Sequence, residues 1–119
     1  MSLTPDQGEQ RAAISNAIVA LFKEFYGKGP VAAKTYFNDD WVFVVLEGGL
    51  TRNEETLLAD GKEDVVRSYR LSFQETVADT ATTAVEELTG RRVIGYHSQI
   101  TFRPTRTFEI FALEPDASR

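Results

Sequence analysis

The stretch Trp41-Val42-Phe43-Val44-Val45-Leu46 decides the fold of this chain. Six consecutive apolar residues, rich in β-branched and aromatic side chains, predict a strand. Alternate residues of a strand face opposite sides of its sheet, so this strand is apolar on both faces and both faces need cover from water. One of these faces consists of Trp41, Phe43 and Val45.

The segment before this strand predicts a helix and a partner strand. Thr4-Pro5-Asp6-Gln7 is typical of a helix start, because Thr caps a helix and Pro fits its first turn. Gly27 and the Gly29-Pro30 pair end the helix. A strand is predicted from Val31 to Phe37, and a turn at Asn38-Asp39-Asp40 joins it to the central strand. The apolar helix face consists of Ile14, Ile18, Leu21, Phe22 and Phe25.

The segment after the central strand predicts two helices and a hairpin. Thr51 and Glu54 form a capping-box pattern that opens a short helix, and a long helix follows from Glu63 to about Thr89. Strands are predicted from Arg92 to Phe102 and from Thr107 to Glu114. The apolar stripe of the long helix comprises Val66, Tyr69, Phe73, Val77, Ala81, Ala84 and Leu88. One face of the third strand carries Ile94, Tyr96, Ile100 and Phe102.

The element order α-β-β-α-α-β-β predicts a two-layer α+β sandwich, in which helices pack on one face of a four-stranded antiparallel sheet. The length suits a single domain over residues 1–119, with an ordered core of about residues 4–115. One helix layer covers one sheet face, so the other apolar face predicts a homodimer. The candidate interface residues are Trp41, Phe43, Val45 and the outward-facing His97.

Composition narrows the class of protein. The absence of Cys excludes a disulfide framework, a thiolate nucleophile and a Cys-based zinc site. A single His builds no multi-His site and the acids lack the spacing of a metal loop, so no metal and no cofactor are predicted. The N-terminus has no apolar run, and no apolar run is long enough to span a bilayer. We therefore expect a soluble, cytoplasmic protein without direct membrane insertion.

Short motifs along the chain, taken in order, resemble a known family. They are Gly27-Lys28-Gly29-Pro30, Ala33-Lys34, Val45 to Thr51, Val85 to Arg91 and Phe111 to Pro115. The family is DUF2294, also called MpsC, and the resemblance covers roughly Ile14 to Pro115. It implies a small bacterial protein associated with systems for inorganic-carbon uptake and membrane-potential generation. It brings no established catalytic residue, and family members with two copies of the domain in one chain fit a dimer of single copies.

The turn that leads from the central strand into the short helix is a candidate anion site. Backbone N–H groups at a helix start favour anions, so bicarbonate, phosphate or a partner carboxylate is a plausible ligand. The alternative is a structural turn whose N–H groups are capped by Thr51. The candidate anion-binding residues are Gly48, Gly49, Thr51 and Arg52, with Arg67 and Arg70 expected nearby.

Three functions stay open at this point. The leading one is an accessory or binding protein that regulates a bicarbonate-uptake or ion-translocating membrane system. The second is a small anion-binding sensor or enzyme that uses the Gly48–Thr51 turn. The third is RNA binding by the hairpin segment 89–107, which carries four arginines and no acid although the chain has a net charge of -5. No catalytic residue is predicted, because nothing in the sequence places an orienting acid or a nucleophile beside His97.

Overall fold

The computed structural model describes residues 7–115, and its elements follow the predicted order. The helices and strands are α1 Gln7–Tyr26, β1 Ala32–Asn38, β2 Trp41–Glu47, α2 Arg52–Ala59, α3 Glu63–Thr89, β3 Val93–Thr101 and β4 Arg106–Leu113. The strands form one antiparallel sheet in the order β1-β2-β4-β3. The predicted α+β class is confirmed, and the predicted cap at Thr4-Pro5-Asp6 lies outside the described residues.

The main core lies between one face of the sheet and helices α1 and α3. Val42, Val44 and Leu46 of β2 are buried on this face, beside Phe111 and Leu113 of β4. Full burial of an apolar side chain of this size contributes about 1.5–3 kcal/mol, so this layer fixes both helices on the sheet. Helix α1 supplies Ile14, Ile18, Leu21 and Phe22, four of the five residues of its predicted apolar face.

Capping residues and glycines fix the start of α2 and the end of α3. The Thr51 hydroxyl accepts a hydrogen bond from the Glu54 N–H, and the Glu54 carboxylate accepts one from the Thr51 N–H, so the predicted capping box is confirmed. Gly90 ends α3 in the left-handed conformation at φ 69°. Gly49 has φ +86°, and a Cβ there would lie 3.1 Å from the backbone of Pro30. The positive φ and the close approach of Pro30 both require glycine at position 49.

The second face of the sheet, which we call the outer face, is apolar at its centre. Tyr36, Phe43, Ile110 and His97 lie side by side across the four strands. Trp41 is 47% exposed and Tyr36 is 45% exposed, so water reaches this face in the single chain. On the two central strands, β2 and β4, five apolar residues of the outer face are partly exposed; they are Phe43, Val45, Phe108, Ile110 and Ala112.

A register shift in β3 makes one prediction wrong. The pairing with β4 shifts between Val93 and Gly95, which is a β-bulge. The shift leaves Ile94 58% exposed, while Val93 packs against the core. Ile94 therefore does not share the buried face of β3 with Tyr96 and Ile100, although the sequence pattern placed the three on one face.

The buried stripe of α3 also differs from the predicted one. Tyr69 is 45% exposed, and its neighbour Arg70 is buried instead. An apolar pattern favours Tyr over Arg at a buried position, but here Arg70 is buried because it forms an ion pair with Glu54. The buried residues of α3 are Val66, Arg70, Val77, Ala81 and Val85.

Candidate functional site

A buried ion pair joins the first turn of α2 to α3. The Arg70 Nε donates to Glu54 Oε2 at 2.6 Å, and Nη2 donates to Oε1 at 2.6 Å. Nη2 also donates to the Gly49 carbonyl at 3.1 Å, so the guanidinium holds the turn before α2 as well. The Arg70 side chain is 8% exposed and the Glu54 side chain is 4% exposed. This two-pronged geometry is the strong form of an Arg–carboxylate contact.

Burial and the charge of Arg70 together set the protonation states of Glu54 and Tyr26. Burial acts to raise the pKa of Glu54, but the hydrogen bonds and charge of Arg70 and the Thr51 N–H outweigh it, so the pKa is lowered. The guanidinium stacks over the Tyr26 ring at 3.8 Å from its centroid. Burial raises the pKa of Tyr26 to about 12, against the opposing effect of the Arg70 charge. Glu54 is thus an anion and Tyr26 a neutral phenol at physiological pH.

A second buried carboxyl, Glu109, lies on the inner face of β4 and is fully inaccessible to solvent. Its Oε1 accepts a hydrogen bond from the Tyr96 hydroxyl at 2.5 Å. Its Oε2 has no hydrogen-bond partner among residues 7–115. Burial raises the pKa of Glu109 to about 7, although Ser98, Tyr96 and the charge of Arg70 all act to lower it. Glu109 is therefore the one carboxyl of this group that changes charge near neutral pH.

The raised pKa of Glu109 predicts a stability that falls as pH rises. A carboxyl whose pKa moves from 4.5 to about 7 on folding stabilises the fold fully below the unfolded value and loses that contribution as pH passes the folded value. The loss is on the order of 3 kcal/mol, at about 1.4 kcal/mol per pKa unit. We expect Glu109→Gln to be more stable than the wild type at about pH 8 and to show a flat profile.

Urea unfolding measured from about pH 5 to about pH 8 checks this expectation. Glu87→Gln, on an exposed position of α3, serves as the matched control and should leave the wild-type slope unchanged. A wild-type stability that rises over this range, or the same profile in Glu109→Gln, would contradict the assigned protonation.

A cavity of about 220 Å³ opens beside these polar groups, between α3, β3 and the end of α1. Its walls are mainly apolar, and three hydroxyl-bearing residues of the sheet, Tyr96, Ser98 and Thr107, form part of them. Ser98 pairs directly across the sheet with Glu109, so the buried carboxyl lies behind this part of the wall. The other lining residues are Phe22, Tyr26, Arg67, Arg70, Leu71, Gln74, Val77, His97, Gln99 and Ile100.

The predicted anion-binding turn is used largely by the chain itself. The Gly48 N–H donates to the Thr105 carbonyl at 3.0 Å, and the Thr51 N–H is taken by the capping box. Arg52 is exposed, whereas Arg70 bonds the carbonyl of Gly49. Gly48, Gly49, Thr51 and Arg52 thus lie together as the sequence predicts, and anion binding there stays a prediction.

The other predicted sites fall on the sheet and its hairpin. Trp41, Phe43, Val45 and His97 all lie on the outer face. Three hairpin arginines lie near acids of their own chain: Arg91 with Asp40, Arg103 with Glu63 and Arg106 with Glu47. RNA binding by this hairpin stays a prediction. Within residues 7–115, no three His, Cys, Asp or Glu side chains come together as metal ligands would.

Glu109, Arg70 and Tyr96 were not predicted as site residues. Glu109 is an acid in the middle of the apolar run from Phe108 to Leu113, at a position that alternates with Phe111 and Leu113. That alternation is a usable signal, because it places the carboxyl on the same face as the core. Arg70 gives no such signal, since its burial depends on Glu54.

The sequence of this chain matches a known protein family. A family described as "Na+-translocating membrane potential-generating system (MpsC)" matches residues 6–115. The chain belongs to the MpsC family. The resemblance predicted from its motifs is confirmed. This MpsC-family chain is also similar to "Uncharacterized protein YbcI" of Bacillus subtilis (strain 168), with 26% identity over 115 residues, 95% of this chain and 92% of YbcI. No solved structure matches the chain.

A helix that crosses a bilayer needs about 20 mostly apolar residues, and the helices of this family member differ from that pattern. Across the described part of the chain, none of them has both the length and the apolar character needed for a membrane span.

Proposed function

We propose that this MpsC-family chain is a cytoplasmic, homodimeric accessory protein that binds and regulates a Na⁺-translocating or bicarbonate-uptake membrane system. The family description supports the association with such a system. The observation that carries the dimer is the outer face, where partly exposed apolar residues line the centre of the sheet.

The size of the outer face favours a protein partner. Four strands about 4.8 Å apart, each with at least seven residues at about 3.3 Å, span a flat area of at least about 400 Å². Contiguous apolar patches on monomers rarely exceed a few hundred Å². Protruding side chains such as Trp41 add accessible area to the flat value. A standard interface buries roughly 800 Å² on each partner, so a dimer would use the rim of the face as well.

The charge distribution favours a second copy as that partner. The central row from Tyr36 to Ile110 carries no charged side chain. The nearest charged residues are Lys34, whose ammonium lies 5.2 Å from the centre of the Tyr36 ring, and the paired Glu47 and Arg106 toward the strand ends. An uncharged apolar centre is complementary to itself, so two copies can bury it without bringing like charges together at the centre of the interface. Two such sheets pack face to face at about 10 Å, as in a β-sandwich.

The regulatory role predicts a loss of ion translocation without this chain. In cells that carry the Na⁺-translocating system, deletion of the gene for this chain is expected to lower the Na⁺-dependent membrane potential. The wild-type gene should restore it, and Phe43→Lys, which disrupts the outer face, should not. A potential-sensitive dye reports the result, with Thr83→Lys on an exposed position of α3 as the control of equal charge. A potential that is unaffected by deletion would refute the role.

A further inference from the structure

The cavity between α3 and β3 has the features of a ligand site. Its volume of about 220 Å³ suits a small organic molecule rather than one water, and small-molecule sites are mostly apolar with a few placed polar groups. Phe22, Val77 and Ile100 provide apolar surface at the core side. Leu71, which is largely exposed, lies where the cavity meets solvent. An inorganic anion would lose its hydration against such walls, whereas an apolar body would fit them.

The charged groups of the cavity select the head group of the ligand. Arg67 and Arg70 are the residues of full charge among those that line it. Arg70 bonds Glu54 and Gly49 through Nε and Nη2, which leaves Nη1 without a hydrogen bond among residues 7–115. A guanidinium N–H beside an apolar cavity is suited to an acceptor oxygen of a carboxylate. Arg67 pairs with Glu63 and Asp64, but no Asp or Glu of residues 7–115 is among the lining residues, so a protonated amine would find no counter-charge in the cavity.

We propose that this cavity binds a small monocarboxylic acid with an aromatic or branched apolar body. The body fills the space between Phe22, Val77 and Ile100, and the carboxylate lies toward Arg67 and Arg70. The hydroxyls of Ser98 and Tyr96 complete the polar side of the site and connect it to Glu109.

Glu109 makes the occupancy of the cavity depend on pH. The groups around this carboxyl are Tyr96 and Ser98 of β3, Tyr26 of α1 and Arg70 of α3, and of these only Arg70 is charged at neutral pH, with Glu54 as its counter-ion. Their charges offset each other. A protonated Glu109 leaves the site favourable to an anion, whereas an ionised Glu109 repels it. The ligand therefore binds best below the pKa of Glu109.

Benzoate serves as the probe, with benzamide as its uncharged analogue, benzylamine as its cationic analogue, and bicarbonate and phosphate as inorganic anions. Backbone amide NMR of the full chain should show saturable shifts at residues 96–100 with benzoate. We expect benzoate to bind at least about fivefold more tightly than benzamide, since a charged hydrogen bond is stronger than a neutral one. Affinity should fall by up to about tenfold from about pH 6 to about pH 8, because that range spans the protonated and ionised populations of Glu109.

Three variants separate this site from the alternatives. Arg67→Gln is expected to weaken benzoate about fivefold, while Arg52→Gln, an equal change of charge at the turn before α2, should weaken it less than about twofold. Glu109→Gln should bind benzoate with little dependence on pH. No saturation by about 10 mM would overturn the proposal, since such an affinity is too weak for a built site. The proposal would also be overturned if bicarbonate or phosphate bound as tightly as benzoate, or if benzylamine bound more tightly. The same holds if Arg52→Gln weakened benzoate as much as Arg67→Gln does, or if the wild-type affinity did not change with pH.

Discussion

Replacing Arg70 by methionine is expected to lower the free energy of unfolding by about 3–5 kcal/mol, because the substitution leaves the Glu54 carboxylate buried without its counter-charge. Methionine keeps much of the length of the apolar part of the side chain, so a cavity accounts for little of the loss. The substitution also removes the hydrogen bond to Gly49 and the contact with the Tyr26 ring. Urea unfolding at neutral pH measures the effect.

A nearby arginine provides the control for this expectation. Arg67 lies one turn earlier on α3, and its ion pairs with Glu63 and Asp64 are exposed to water. Arg67→Met should therefore cost only about 0–1 kcal/mol. The double variant Arg70→Met/Glu54→Gln removes both buried charges and keeps a residue that suits the capping box. It should be more stable than Arg70→Met alone. Equal losses in Arg67→Met and Arg70→Met would contradict the importance of the buried pair.

Introducing lysine at Phe43 is expected to weaken dimerisation by at least about a thousandfold. Phe43 lies in the central row of the outer face, between Tyr36 and Ile110. A hot-spot residue contributes at least about 2 kcal/mol, and a two-fold symmetric interface contains it twice, which gives about 4 kcal/mol or a thousandfold change. A buried lysine without a partner adds to the loss. Sedimentation equilibrium of the purified variant measures the change.

The substitution at Phe43 should leave the fold of the single chain intact, because the side chain faces away from α1 and α3. Far-UV circular dichroism tests this requirement. Thr83→Lys, on an exposed position of α3, adds the same charge away from the sheet and should dimerise as the wild type does. Dimerisation that is equally strong in Phe43→Lys and Thr83→Lys would exclude the outer face as the interface.

Much of the fold follows from short-range signals in the sequence. The capping box of Thr51 and Glu54, the end of α3 at Gly90 and the two-sided apolar character of β2 each depend on residues a few positions apart. Such signals need no knowledge of the tertiary structure. For the same reason the outer face was predictable, since the alternation of Trp41, Phe43 and Val45 appears in the sequence itself.

The buried polar groups depend on long-range contacts and were not predictable in this way. Arg70 is buried because Glu54, sixteen positions earlier, reaches it across the start of α2. A periodic pattern favours Tyr69 for that position, because it measures apolar character and not pairing. The exposure of Ile94 results from a β-bulge, which depends on how β3 meets β4. Only Glu109 left a local signal, through its place in the alternation of β4.

The mass of the wild-type chain in solution tests the central claim most directly. Light scattering after size exclusion should give twice the chain mass of 13.3 kDa, because in the proposed dimer a second sheet covers the apolar outer face. A mass of 13.3 kDa at concentrations up to about 100 micromolar would contradict the claim, since the face would then remain in contact with water.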